Sequence, residues 1–337
     1  MALTPRFGQL IEIIRPTGRE LKIIFNRVRR NPLSLLGLII LLFFIVIALV
    51  ASQLAPPTTE DPYMIPYFGP HTKEWILEHY KFTPHPTPPS KTHPFGTLEG
   101  YDIFYGCIWG TRTAFRVSLI IIISSLVIGL LIGGIAGYHG GLIGEGMMRF
   151  ADIFFAIPDL LLAMVLIVSL QIEWAGYFGP LRVTTDFSLM DKLIIAIILV
   201  RWPSYARLIR GEILGVKNQD FIEAAEAIGC SSFRILVRHI LPNVIYPILI
   251  MAFLDIGGVV LSFTTLSFLG FGPKMGYAEW ATIISTSRKY IIGTPQDPFK
   301  FAYTFFWPGL FISGFILAWS LLGDTIREIM DPTLRRI

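Results

Sequence analysis

Six long apolar runs, each bounded by polar or charged stretches, divide this chain at roughly 33–54, 115–138, 151–171, 191–210, 241–268 and 302–323. Each comes near the about 20 residues that a helix needs to cross a bilayer core. A single segment in lipid must close its backbone hydrogen bonds within itself, which a helix does. The pattern therefore predicts an all-α, polytopic membrane protein with six transmembrane helices. The first run is too long for a cleaved leader and follows a basic tail. Within that tail, residues 9–29 alternate apolar and basic groups around Pro16, which reads as an interfacial helix broken once, an anchor or a partner contact. Pro158 and Pro203 interrupt the third and fourth runs and Pro247 lies early in the fifth. Each frees a carbonyl and permits a bend, static or mobile.

Composition agrees with that reading, since 53% hydrophobic and 15% charged residues in 337 exceed the apolar load of a soluble domain. Lys and Arg set the orientation. They crowd the N-terminal tail (Arg6, Arg15, Arg19, Lys22, Arg27, Arg29, Arg30), the loop after the fourth run (Arg207, Arg210, Lys217, Arg234, Arg238) and the C-terminus (Arg327, Arg335, Arg336). Residues 55–110 hold three Lys, no Arg and six acids. Both termini are thus expected in the cytoplasm. The chain divides into a cytoplasmic amphipathic tail (1–32), a first transmembrane helix (33–54) and an extracellular segment (55–111). A core of five helices (112–324) with a polar loop at 211–240 follows, and then a cytoplasmic tail (325–337). The outer segment is rich in Pro, Tyr and His, with a short helix expected at Thr72 to Tyr80. A net charge of +4 does not indicate nucleic acid, because the basic residues are mostly juxtamembrane, where they meet anionic lipid. Cys107 and Cys230 fall on opposite sides of the membrane in this topology, which excludes a disulfide between them.

The polar loop carries the strongest local signal. Asp220 followed by Glu223 has the form of an N-terminal helix cap, Gly229 can supply the positive φ that ends a helix, and Ser231 or Ser232 can cap the next. A helix, an elbow and a second helix result, with Phe221, Ile222, Ala224, Ala225 and Ile228 gathered on one flank. Two readings stand here, an ordinary amphipathic helix on the bilayer surface and a docking handle for another protein. Gly129, Gly133, Gly137 and Gly141 form a four-residue ladder that lets a neighbouring helix approach closely; packing inside the subunit is favoured over a subunit interface. Arg201 lies about 15 Å into the fourth run at the helical rise, and Asp255 lies deep in the fifth. Ionisable groups at such depth face a wet cavity or a partner, so both are candidates for a translocation pathway or for each other.

At Glu223-Ala224-Ala225, Gly229 and Leu241-Pro242-Asn243 the sequence resembles the permease subunits of binding-protein-dependent ABC importers. Stretches starting at Arg30, His93, Gly110 and Leu266, with Leu322-Gly323-Asp324 and Asp331-Pro332, resemble the dipeptide, oligopeptide and nickel branch, in family order. The resemblance implies a type I importer permease core whose coupling helix docks on an ATPase subunit. Asp220, Glu223, Ala224, Ala225, Gly229 and Arg234 would form that contact, with Glu223 as the charged anchor, the two alanines permitting close approach and Gly229 the elbow. It also implies the partners: a second, homologous permease, two ABC ATPase subunits, an extracellular solute-binding protein and membrane lipid. Short peptides are the expected solute, with oligosaccharides or nickel as alternatives. The sequence departs from the family at Gly96-Thr97-Leu98 and Gly100-Tyr101-Asp102, and at Phe263, where an acid is common; this bears on the outer gate and the solute.

The chain has no Gly-x-x-x-x-Gly-Lys-Ser/Thr phosphate loop, so ATP and Mg are expected on partner subunits and no cofactor in this chain. His71, His79, His85, His93, His139 and His239 have no metal spacing with another ligand, and no catalytic residues or metal site are expected. An ion-coupled secondary transporter and a membrane-embedded enzyme are the competing classes. Inverted halves or a nucleophile with an adjacent base would favour them, and neither is evident.

Overall fold

A computed structural model describes residues 31–69, 85–171, 187–294 and 296–330. The expected interfacial helix at 9–29, the short helix at Thr72 to Tyr80 and the tail from 331 lie outside the described residues. Helix α1 (Pro32–Leu54) opens on Asn31, whose side chain accepts from Leu33 N, with Pro32 in the first turn, where its missing N–H leaves no bond unmade. A small hairpin follows, β1 (Thr97–Leu98) against β2 (Tyr101–Asp102). Its central residues Glu99 and Gly100 both have positive φ, the twist a two-residue hairpin turn requires.

Helix α2 (Ile103–His139) begins well before the apolar run expected at 115–138, because Asp102 accepts from the amides of Phe104 and Tyr105 and starts the helix there. The expected third span is two helices, α3 (Gly141–Phe155) and α4 (Asp159–Gln171), bent by 91°. Pro158 cannot donate to a continuing helix, and its ring disfavours helical geometry in the residue before it. Helix α5 (Leu189–Lys217) starts on a reciprocal cap between Ser188 and Asp191 and carries Pro203 inside. Helix α6 (Asp220–Ala227) is short. Helix α7 runs for 40 residues, Ser232–Phe271, with widened turns at Leu236–Ile240 and Ser267–Phe271. Pro242 lacks an N–H to bond back into the preceding turn, and the helix widens there instead of stopping. Hence the second helix of the elbow and the expected fifth span are one continuous element. Helices α8 (Trp280–Ser287) and α9 (Tyr303–Met330) complete the fold.

Among the described residues, α1, α2, α7 and α9 are long and apolar enough to cross a membrane, and α3 with α4 makes a fifth if the bent pair is one span. Helix α5 is outside that set because Asp191, Lys192, Arg201, Arg207, Arg210, Glu212 and Lys217 punctuate it. The centre of the bundle is the α2–α5 pair. Gly129 faces Tyr205 and Ala206, Gly133 faces the Ala206 backbone, and Gly137 faces Ile213 and Arg210. The glycines thus pack within this chain. The expected ladder ends at Gly137. Gly141 lies beyond the end of α2, at φ +51 with open space where a Cβ would sit, because the chain turns at Gly140.

One stripe of α1 (Ser34, Gly37, Leu41, Phe44, Ile47, Ala51) is buried while Leu33, Leu36, Ile39, Phe43, Val46 and Leu49 are exposed. Gly37 meets Leu321 and Ala318 of α9, the Ser34 and Thr325 hydroxyls hydrogen-bond, and Phe44 packs among Trp280, Phe311 and Phe315.

Candidate functional site

Two arrangements bear on function, one between the end of α5 and the start of α7 and one midway along both helices. The first is α6 and its elbow. An eight-residue helix does not hold by propensity alone; it is fixed at both flanks. Ile222 and Ala225, three residues apart, are 1% and 5% exposed and join the core that contains Ile235, Ile240 and Val244. At the C-terminal end Gly229 has φ +80. Cys230 N donates to Ala225 O at 3.1 Å and Gly229 N to Glu226 O at 2.9 Å. This pair of bonds around a left-handed glycine is a Schellman closure.

The geometry corrects two sequence expectations. Gln219, not Asp220, stands at the cap position, without a side-chain hydrogen bond, and Asp220 and Glu223 both lie in the first turn. There their negative charges face the positive end of the helix dipole. Ala225 belongs to the inner stripe, since helical periodicity parts the flank expected as one. Phe221, Ala224 and Ile228, at spacings of three and four, point the other way. Phe221 is 40%, Ile228 81% and Phe233 74% exposed. Asp220, Glu223, Gly229 and Arg234 are also exposed, and none of the ion pairs among the described residues includes Asp220, Glu223 or Arg234. The result is a rigid protrusion with an apolar face and acidic and basic groups at its rim, a surface suited to a protein partner.

The neighbouring ends of α2, α3 and α5 are tied by pairs that sequence reading missed. Arg207 Nη2 lies 2.6 Å from Asp152 Oδ1, Arg210 Nη2 3.9 Å from Glu145 Oε1, and Lys217 Nζ donates to Tyr138 O at 2.6 Å. These partners are 55 or more positions apart along the chain, so no local spacing reveals them.

The second arrangement is the deep charge pair. Arg201 on α5 donates through Nη1 to Asp255 Oδ1 on α7 at 3.0 Å. Its Nη2 donates to Ser262 Oγ at 2.8 Å and to Gly258 O at 3.3 Å. Tyr205 Oη donates to the other carboxylate oxygen at 3.2 Å. The two side chains are 21% and 15% exposed, and with Asp159 of α4, Arg201 and Ser262 line a narrow niche between the helices. A guanidinium and a carboxylate so placed satisfy one another where water is scarce, and still present an edge to whatever adjoins α4, α5 and α7.

Beyond α7, the hairpin and α8 form the opposite end of the bundle. Ile65 N donates to Gly276 O at 2.7 Å and Ala278 N to Tyr63 O at 2.7 Å, sewing the long connection after α1 onto the α7–α8 turn. Lys289 pairs with Glu99; burial works to lower the Lys289 pKa, but the hydrogen bond and charge of Glu99 outweigh it and lift the pKa above its usual value. His93 Nδ1 lies 2.9 Å from Asp102 Oδ2, a structural contact at the start of α2.

Comparison with known proteins gives this geometry a family context. Residues 129–336 match the family described as binding-protein-dependent transport system inner membrane component. Residues 21–70 match the N-terminal transmembrane domain of oligopeptide transport permease C. The chain is 30% identical over 323 residues to the dipeptide transport system permease protein of Bacillus subtilis (strain 168), covering 96% of this chain and 88% of the relative. It is 32% identical over 312 residues to the dipeptide transport system permease protein of Alkalihalophilus pseudofirmus, covering 92% and 89%. The nickel transport system permease protein of Escherichia coli (strain K12) is 32% identical over 247 residues, covering 73% and 81%.

Proposed function

From the premise that this chain belongs to the inner membrane components of binding-protein-dependent transport systems, we propose that it is the peptide-conducting permease subunit of an ATP-driven importer, moved by separate ATPase subunits through α6. The observation that carries the reading is the protruding α6 elbow, with Phe221 and Ile228 uncovered on the helix closed by Gly229 and Phe233 uncovered at the start of α7. In this reading the α6 end is cytoplasmic, six helices cross the membrane, and the α8 end faces a solute-binding protein outside. A second, similar permease completes the pathway, along which Arg201 and Asp255 stand. ATP and Mg act on the partner subunits. Closure of two ATPase subunits pushes α6, and the helices beside it open outward to receive solute. Peptide is the proposed cargo because relatives named for dipeptide transport cover nearly the whole chain. Mass spectrometry of the ligand carried by the cognate binding protein tests the cargo; nickel or an oligosaccharide there would replace peptide.

The docking face is tested by co-purification. Ile228→Asp with Phe233→Asp is expected to weaken ATPase capture by about 30-fold, the effect of losing one buried apolar hot spot of about 2 kcal/mol, while the permease still folds. Undiminished capture would remove α6 as the docking element. A second expectation concerns the elbow. Gly229→Val must hold a β-branched residue at positive φ, a strain of about 1–2 kcal/mol, although its Cβ would meet open space. Hydrolysis by the assembled complex is expected to persist and solute uptake per ATP to fall, measured together in proteoliposomes. An unchanged ratio would mean that the elbow's shape does not matter to coupling.

A further inference from the structure

The far end of α7 and the start of α8 hold one another. Gly270, at φ +101, breaks α7, which leaves its last carbonyls without helical donors. The Phe268 carbonyl is taken up by Ser285 Oγ at 2.9 Å and by the Arg288 guanidinium, a cation placed where the helix dipole is negative. In return, the first turn of α8 is capped by Glu279, whose carboxylate accepts from Ala281 N at 2.9 Å and Thr282 N at 2.7 Å. The same carboxylate accepts from Thr282 Oγ1 at 2.8 Å and from Ser267 Oγ, on α7, at 2.6 Å. Glu279 is 3% and Ser267 2% exposed. A buried carboxylate with four donors is a costly group to place and a strong tie once satisfied.

Helix α8 is in turn fixed to the rest of its end of the bundle. Trp280 Nε1 donates to Cys107 O of α2 at 2.9 Å, Thr113 Oγ1 of α2 to Ala278 O at 2.7 Å, and Ser287 Oγ to Thr304 O of α9 at 3.1 Å. At its other end α7 begins at Ser232, directly after the elbow at Gly229 and Cys230, and its 40 residues reach about 60 Å at 1.5 Å each. One continuous element therefore joins the docking helix to α8.

We propose that Glu279 is a positioning residue that fastens α8 to α7 through Ser267, so that a displacement of α6 reaches the opposite mouth of the transporter as movement of α8. This rests on the reading of α6 as the ATPase contact, and its test separates the two.

In the assembled complex with its ATPase subunits, amide hydrogen exchange of α6 and α8 is measured with and without a non-hydrolysable ATP analogue. In the wild type both helices are expected to respond to nucleotide. Ser267→Ala removes the α7 donor to Glu279 and leaves the Glu279 cap and the Phe268 contacts with Ser285 and Arg288 in place. It is expected to keep ATPase activity and the α6 response, and to lose the α8 response and solute uptake by about tenfold, as for a hydrogen bond to a charged group. Thr286→Ala deletes a hydroxyl of α8 that bonds only within the helix, to Thr282 O, and is expected to behave as wild type. An α8 response in Ser267→Ala equal to the wild type overturns the proposal, as does a wild type whose α6 responds while α8 does not. A wild type whose α6 shows no nucleotide response instead overturns the docking role of α6.

Discussion

Asp255→Leu is expected to lose about 3–5 kcal/mol of folded stability, because it leaves the Arg201 guanidinium without its counter-ion in a nearly dry site. Ser262 and Gly258 remain as acceptors but carry no negative charge. Arg201→Leu should cost less, since the Asp255 carboxylate keeps its bond from Tyr205. The double variant, leucine at both positions, removes the uncompensated charge and should recover most of the loss. Thermal unfolding of the purified complex in detergent reads the three effects. Transport decides what the pair is for. If the double variant regains stability but not uptake, the pair serves the pathway; if it regains both, the pair is a helix tie without a transport duty. Single variants as stable as the wild type would contradict the geometry itself.

Gly133→Val is expected to prevent correct packing of α2 against α5. A Cβ at residue 133 would lie 2.3 Å from Ala206 O and 2.9 Å from Ala206 Cα, and backbone cannot swing aside as a side-chain end can. Overpacking of this sort commonly costs about 1–3 kcal/mol, and the top of that range or beyond is expected here because both helices must separate. Gly134→Val, one residue away with nothing within 4 Å of its Cβ, is the matched control and should accumulate normally. The yield of monodisperse protein from membranes compares them; equal yields would mean that α2 and α5 tolerate a wider gap.

What the sequence revealed follows from the range of each interaction. The apolar runs located α1, α7 and α9 and the later part of α2, because an apolar stretch is a property of consecutive residues, while the third run joined parts of two helices, α3 and α4. The elbow at Gly229 was legible because positive φ and helix termination are local. The early start of α2 at Ile103 was overlooked, although Asp102 carried the signal of a cap. The right angle between α3 and α4 was signalled by Pro158, but its size depends on what the two helices pack against. Arg201 and Asp255 were recognisable by depth alone; their pairing needed two helices placed side by side. Glu279 gave no signal, since a carboxylate in a polar connection reads as solvated until Ser267, twelve residues earlier, folds onto it. Ala225 was assigned to the wrong face because membership of a motif says nothing of direction.

The Ser34–Thr325 contact spans 291 positions, so α1 is made long before its partner on α9. At about 5–20 residues per second, α1 spends roughly 15–60 s in the bilayer with Ser34 and the notch at Gly37 turned to lipid. Assembly of the bundle thus requires an early helix to wait for a late one. A chain stalled shortly before residue 303 would leave Ser34 and the notch at Gly37 without their α9 partners, although Arg112 of α2 would already hold the other end of α1.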